Sequence, residues 1–445
     1  MSEETLELTD LVERRDLDAI GNWLAEHGAL DIADDLVRLE PADRAVVFRL
    51  LAKDRALAVF EALDPAHQQQ LLESLADDSV HELFLGIDAD DRARLLDEMP
   101  AKVANRLLAK LPEDARQNTN ILLGYPEEST GRMMSPRYVN LRASMTASDA
   151  LTKVRRAGLR TNEVRVLPVT DDERRLLGVV DLPDLVTAEV TTRVADLVRP
   201  ETYSAHVDED REVAARLMQE ADLVALPVVD TEDRLVGVVT VDDAMEVLEL
   251  EETEDIHRAG GVEPLTVPYM VAGVLQLARK RATWLLILII AAIATVNVLE
   301  FFEETLEAQV ALALFIPLLI DTGGNSGSQA STVVIRAMAV GEVQFRDLPR
   351  ILHRELRVGL LLGLMLGAIG FPIVWAFYTI EFAVVVSSTL LVICTWASFA
   401  GGMLPLLAKR FRVDPAVVSA PVITTLVDAT GLVIYFLIAR AVLGI

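Results

Sequence analysis

Apolar positions early in the chain return at helical spacing. Val46, Val47, Leu50 and Leu51 follow the start Leu39-Glu40-Pro41-Ala42-Asp43-Arg44 and line one side of a helix. That start recurs as Leu63-Asp64-Pro65-Ala66-His67-Gln68, as Ile87-Asp88-Ala89-Asp90-Asp91-Arg92 and, in degenerate form, as Leu111-Pro112-Glu113-Asp114-Ala115-Arg116, at steps of 24 residues. Proline and acids in a first turn suit the positive end of a helix. Stacked helices in a short solenoid are predicted. Between 130 and 250 the pattern changes. Leu167-Pro168-Val169 and Leu177-Gly178-Val179-Val180 return 59 residues later as Leu226-Pro227-Val228 and Val236-Gly237-Val238-Val239, and Asp184 returns as Asp243. Each copy reads strand, charged turn (171–175 and 230–234), strand, acidic helix start.

Beyond 260 the polar positions nearly vanish. Ala282–Leu299, Ala308–Ile335, Val358–Ile380, Phe382–Ala408 and Pro415–Ala439 are runs of 18 to 28 residues that together hold two charges, Asp321 and Asp428. A helix needs about 20 apolar residues to cross a bilayer, so five spans are predicted. Arg279, Lys280 and Arg281 precede the first run; Arg346, Arg350, Arg354 and Arg357 follow the second; Lys409, Arg410 and Arg412 follow the fourth. The link between the first two runs has Glu300, Glu303, Glu304 and Glu307 and no base. Basic loops stay on the cytoplasmic side, so the N-terminus is expected in the cytoplasm and the C-terminus outside.

A carboxylate at mid-membrane marks an ion or substrate path by default. Asp428 is near the middle of the fifth run. Asp321 opens the polar, Gly-rich stretch Asp321-Thr322-Gly323-Gly324-Asn325-Ser326-Gly327-Ser328-Gln329. A break in the helix is expected there, lining a wet cavity. Carboxylate, amide and hydroxyl oxygens are hard ligands that suit Mg2+, Ca2+ or Mn2+, and no His or Cys is near either Asp in sequence. Mg2+ gives up its water reluctantly, so a sparse carboxylate site puts it first.

Charge divides the chain at the same place. Residues 1–260 hold 56 acids and 29 bases; residues 261–445 hold 12 of each. The acidic balance excludes a nucleic-acid partner, and Cys394, the one cysteine, excludes a disulfide framework. The Glu- and Asp-rich residues 1–20 do not read as a signal peptide. No nucleophile–base constellation or phosphate-binding loop is evident. From Asp242 to Asp255 there are eight acids in fourteen residues and no base. Val241, Met245, Leu248 and Leu250 give this segment helical spacing, and its acids would repel one another. Cations bridging them to other carboxylates would remove the penalty, which makes the helix a candidate sensor of the internal cation. An acidic surface adapted to high salt is the other reading.

The paired αβ copies resemble a tandem of CBS domains, a regulatory module that often binds adenine nucleotides. The whole chain resembles the MgtE family of magnesium channels. The resemblance is carried by Pro317-Leu318-Leu319-Ile320-Asp321-Thr322-Gly323-Gly324-Asn325-Ser326-Gly327-Ser328-Gln329-Ala330-Ser331, Val413-Asp414-Pro415-Ala416, Asp428-Ala429-Thr430-Gly431-Leu432-Val433-Ile434-Tyr435 and Thr253-Glu254-Asp255-Ile256-His257. It implies an all-α N domain over 1–128, an α/β CBS pair over 129–241, a connecting "plug" helix over 242–262 and an all-α membrane domain of five helices over 263–445. It also implies a homodimeric, Mg2+-selective channel in the cell membrane. The pore would lie between the copies, lined by the second and fifth spans, with Asp428 holding a hydrated ion. Asp321, Gly324, Asn325, Ser328, Thr424 and Thr425 are expected beside it. Cation-sensing acids would be Asp210, Glu212, Asp222, Asp243, Glu246, Glu251, Glu254 and Asp255, with Asp91, Asp88 and Asp90 from the N domain, and ATP is a candidate ligand of the CBS pair. High internal Mg2+ would bridge these elements and close the pore. Ser328 and Ala420 stand where some members have Asn, and Asp321 where some have Gly, which implies a different ligand set. Two rivals remain: a membrane-anchored nucleotide sensor without transport, and a proton-coupled exporter of divalent cations.

Overall fold

The computed structural model describes residues 7–75, 77–158, 164–199, 201–265, 267–270, 272–411, 413–418 and 420–445. Arg412, one of the bases used for orientation, lies outside them. The chain divides into two compact units, Met1–Glu251 and Glu252–Ile445.

In the first unit the 24-residue period is a pair of helices. Pro41–Phe48, Pro65–Ser74, Ala89–Glu98 and Glu113–Leu123 begin at that step, and Lys53–Glu61, Asp77–Gly86 and Ala101–Lys110 alternate with them. Leu36, Phe48, Phe60, Leu71, Phe84, Leu95 and Leu107 form one continuous core. In the first three repeat helices the fourth residue ties the repeat to the helix before it. Arg44, 3% exposed, donates from Nε to the Leu36 carbonyl at 3.0 Å. Gln68 donates to the Phe60 carbonyl at 2.9 Å, and Arg92 to the Ile87 carbonyl at 2.8 Å. Each adds a side-chain donor to a carbonyl at the end of the preceding helix, where the Leu36 and Phe60 oxygens also accept the Leu39 and Leu63 amides at 3.2 Å.

The two αβ copies are two three-stranded sheets. β1 (Leu141–Arg142) runs parallel to β2 (Val166–Thr170), which pairs antiparallel with β3 (Leu176–Asp181). β4 (Ala205–His206), β5 (Ala225–Val229) and β6 (Leu235–Thr240) repeat the order, with Pro168 opposite Val179 in one copy and Pro227 opposite Val238 in the other. The charged turns are built alike: Asp171 Oδ1 accepts from the Glu173 and Arg175 amides, and Asp230 Oδ1 from those of Glu232 and Arg234. The acidic segment leaves β6 directly as the helix Val241–Ala259.

Among the described residues of the second unit five helices are long and apolar enough to span a membrane: Val274–Phe301, Val310–Ala339, Phe345–Phe377, Ile380–Arg410 and Ala420–Leu443. The fourth is the centre, packed against the second, third and fifth; the first packs on the fifth. Glycines set the spacing. A Cβ on Gly359 or Gly363 of the third span would come within 2.6 Å of the Cys394 carbonyl oxygen or Leu391 Cα on the fourth, as expected where small residues let membrane helices touch. Tyr435 on the fifth span is buried and donates to the Leu312 carbonyl at 2.9 Å.

One expectation is corrected. The polar stretch 321–329 is not a break: Ile316–Ala339 is a continuous α-helix, and the irregular turns lie earlier, as the 3-10 segment Val310–Phe315. The glycines serve approach instead. A Cβ on Gly323 would meet Ile393 at 2.4 Å, and one on Gly327 would meet Ile423 at 2.8 Å.

Candidate cation sites

Because the second span stays helical, its polar residues sort onto two sides. Gly323, Ser326, Gly327, Ala330 and Ser331 are buried against the bundle. Asp321, Asn325 and Gln329 are exposed at i, i+4 and i+8 and form a polar stripe one residue wide. Asp428, half-buried on the fifth span, is close enough to Asp321 for the two carboxylates to repel one another. Among the described residues no base pairs with either. Ser328 donates to the Ala420 carbonyl at 3.4 Å; Thr424 and Thr425 donate to the Pro421 carbonyl at 2.9 and 2.8 Å. The oxygens of all three hydroxyls keep lone pairs for an ion or its water. Gly324 is buried, with Thr424 3.0 Å from where its Cβ would be; it brings the second and fifth spans together rather than presenting ligands.

In the first unit the third repeat helix meets the start of the connecting helix. Ala89 and Ala93 share a core with Ala244 and Val247, and this brings Asp90 and Asp91 beside Asp243. Burial, then the Asp243 and Asp91 carboxylates, push the Asp90 carboxyl well above its usual range. Burial pushes Asp91 up to about 6; Arg94 opposes the shift and Glu246 adds to it. Burial also pushes Asp243 up to about 7, against a hydrogen bond from Thr240 and with Asp242 and Asp91 adding to it. Oδ1 of Asp90 is buried without a hydrogen-bond partner. These carboxylates cannot all ionise together without a counter-charge. A hard divalent cation supplies one, and the all-oxygen donor set fits Mg2+. Among the described residues no three acidic or His side chains already stand at ligand spacing, so a cation here would keep most of its water.

The remaining predicted acids are placed differently. Glu246 pairs with Arg94 at 2.5 Å, Glu251 with Arg211 at 2.8 Å and Glu212 with Arg216 at 2.5 Å. Asp210 caps its helix by accepting from the Glu212 amide at 2.8 Å, and Asp222 sits in a left-handed turn with φ 52°. Glu254 and Asp255 lie within one turn of Arg258, which pairs with Glu254. The expected mutual repulsion along the acidic helix is thus partly relieved without a cation, because Arg94 and Arg211 from other elements neutralise Glu246 and Glu251. Sequence reading missed these because the partners are 40 or more residues distant, as Arg94 and Arg211 are, and nothing in local spacing reveals them.

Arg258 also pairs with Asp414, whose Oδ1 accepts from the Ala416 amide at 2.9 Å at the entry to the fifth span. Beside it, Gly261, with φ +67°, brings its backbone against Pro421. The end of the connecting helix is therefore held to the start of the helix that carries Asp428.

Comparison with known proteins agrees with this layout. Residues 316–438 match the family described as divalent cation transporter (MgtE), residues 28–128 match the MgtE intracellular N domain, and 131–191 and 194–250 each match a CBS domain. A magnesium transporter MgtE of Thermus thermophilus is 41% identical over 98% of both chains. One from Bacillus subtilis is 32% identical over 75% of this chain and 74% of its own. The crystal structure of the cytosolic domain of a Mg2+ channel MgtE in complex with ATP is 34% identical and superposes with a TM-score of 0.51, covering 54% of this chain and 98% of that one.

Proposed function

The chain belongs to the MgtE family of divalent cation transporters, and from that premise we propose that it is a homodimeric Mg2+ channel of the cell membrane, closed by Mg2+ on its cytoplasmic side. The observation that carries the reading is the polar stripe. An aspartate left facing hydrocarbon at mid-span costs about 3 kcal/mol, and Asp321, Asn325 and Gln329 are exposed on one chain. A second copy set against this face gives the stripe a wet partner. It also puts two Asp428 carboxylates, with the hydroxyls of Ser328, Thr424 and Thr425, around one path. Two facing carboxylates hold a hydrated divalent ion without stripping its water, so the ion can enter and leave.

Closure works through the acidic half. Cation between Asp90, Asp91 and Asp243 docks the N domain on the CBS pair and the head of the connecting helix. The Arg258–Asp414 pair relays the position of that helix to the fifth span. Glu246, Glu251, Glu254, Asp255, Asp210, Glu212 and Asp222 shape the surrounding field, most of them through their arginines or backbone amides. An adenine nucleotide on the CBS pair is supported by the ATP complex of the related cytosolic domain. The parts are the N domain 1–128, the CBS pair 129–241, the connecting helix 242–262 and the pore domain 263–445, with the N-terminus inside and the C-terminus outside.

Flux into reconstituted vesicles tests this. Mg2+ is expected to enter in the absence of a proton gradient, to outcompete Ca2+, and to slow as Mg2+ on the cytoplasmic face rises. Flux that requires a proton gradient would instead support an exchanger, and no flux at all would leave only a sensor.

A further inference from the structure

Between the third and fourth spans is an open groove of about 470 Å3, walled by Leu356 and Leu360 on one side and Leu391, Trp396 and Phe399 on the other. Its floor is fixed. Gly359 and Gly363 bring the two backbones together beneath it, and Trp396 Nε1 donates to Thr430 Oγ1 on the fifth span at 2.8 Å, so the indole cannot swing out to fill the space. Neither the ion path nor the cation cluster uses this groove.

One end of the groove is strongly basic. Arg357 follows Leu356 directly and lies one helical turn before Leu360. Arg346, Arg350 and Arg354 continue away from the apolar wall, all exposed. On the fourth span Arg410 is three turns beyond Phe399 on the same face, about 16 Å along the axis, and rests over the Phe345 ring at 5.9 Å. The nearby acids are largely engaged: Asp347 accepts from the Gln344 amide at 3.1 Å, and Glu355 is half-buried against Gly402. Among the described residues Arg346 and Arg357 have no ion pair. An apolar slot whose wall runs about 12 Å along the fourth span, from Leu391 to Phe399, and that ends near unpaired guanidinium groups is complementary to one molecule of the bilayer itself.

We propose that this groove binds an anionic phospholipid, with one acyl chain along Leu360, Leu391 and Trp396 and the headgroup phosphate held by Arg354 and Arg357. A guanidinium fork matches phosphate oxygens bidentately, and basic pockets between membrane helices favour anionic headgroups. The inference rests on these helices spanning a membrane and is independent of which ion is carried.

Contact quenching of Trp396 tests it. The full-length chain with Trp23, Trp284 and Trp375 replaced by Phe, which leaves Trp396 as its one tryptophan, is reconstituted in phosphatidylcholine vesicles that contain a small fraction of brominated phosphatidylglycerol or brominated phosphatidylcholine. The brominated anionic lipid is expected to quench Trp396 at lower mole fraction, by roughly fivefold for each arginine engaged. The R354Q/R357Q double variant, altered only at exposed positions, is expected to lose that preference and keep the background quenching by phosphatidylcholine. Equal quenching by both lipids would overturn the proposal, as bulk lipid alone then fills the groove. No quenching by either would also overturn it and would show the groove covered by the second copy. Protein that fails to float with the vesicles would fail the membrane reading instead.

Discussion

Carboxylates crowd together in two regions, and their surroundings differ. In the water-facing unit Glu212, Glu246 and Glu251 each have an arginine within 2.8 Å. Asp90 and Asp243 do not, and burial pushes both carboxyls above their usual range. In the membrane unit Asp321 and Asp428 repel each other with no base nearby among the described residues. A carboxylate with a guanidinium partner is already neutralised and has structural work. One without a partner, out of bulk water, requires a mobile cation or a proton. By this criterion the acids we propose to meet cations directly are Asp428, Asp321, Asp90 and Asp243, whereas Asp91 already has Arg94 at 2.9 Å; the set is shorter than the acidic composition suggests.

Replacing the mobile-cation acids should have the largest effects. Asp428→Ala is expected to bring Mg2+ uptake by vesicles down to the protein-free background while the chain still inserts and pairs, as checked by flotation and size-exclusion profiles. Asp90→Asn with Asp243→Asn removes the mutual repulsion as well as the cation ligands. Protease protection between the N domain and the CBS pair should then no longer depend on Mg2+, and patch recordings should show a channel that internal Mg2+ fails to close.

Protons should act on the same cluster. The folded-state pKa values of Asp90, Asp91 and Asp243 are raised, to about 6 for Asp91 and about 7 for Asp243. The docked state therefore binds more protons than the undocked one, and its stability falls as pH rises through the raised values. Without Mg2+, protection against protease is expected to be strong near pH 5 and lost by pH 8; added Mg2+ should restore it at pH 8. Protection that rises with pH would contradict the cluster. The smallest effects belong to the paired acids. Glu251→Gln or Glu212→Gln should change stability by no more than about 1 kcal/mol, the ordinary scale of a partly exposed ion pair, and leave Mg2+ closure near normal. A large shift of closure in either would return those acids to the sensor.

Much of the architecture was legible because periodicity is a local property. The 24-residue step gave helix starts at Pro41, Pro65, Ala89 and Glu113, and the 59-residue step gave β2–β3 and β5–β6 in equivalent register. The five apolar runs became five helices. Reading 321–329 as a break failed because glycine and polar residues suggest a loop in water, whereas tight helix packing in lipid selects the same small residues. In the membrane unit, isolation in apolar runs singled out Asp428 and Asp321, and the structure brings the two carboxylates near one another. Sequence could not separate Asp243 from Glu251, because the guanidinium groups that distinguish them arrive from other helices. Arg258 and Asp414 are 156 residues apart, and no local pattern joins them.

The proposed channel requires that two copies bring their polar stripes together around one ion path. Asn325→Cys tests it most directly. Asn325 is exposed on that stripe, whereas the native Cys394 is fully buried. In native membranes the variant is expected to form a disulfide-linked dimer on mild oxidation. In reconstituted vesicles a charged methanethiosulfonate reagent is expected to block Mg2+ flux, reversibly with reductant. A variant that stays monomeric under oxidation, and carries Mg2+ undiminished after the thiol has reacted, would contradict the account.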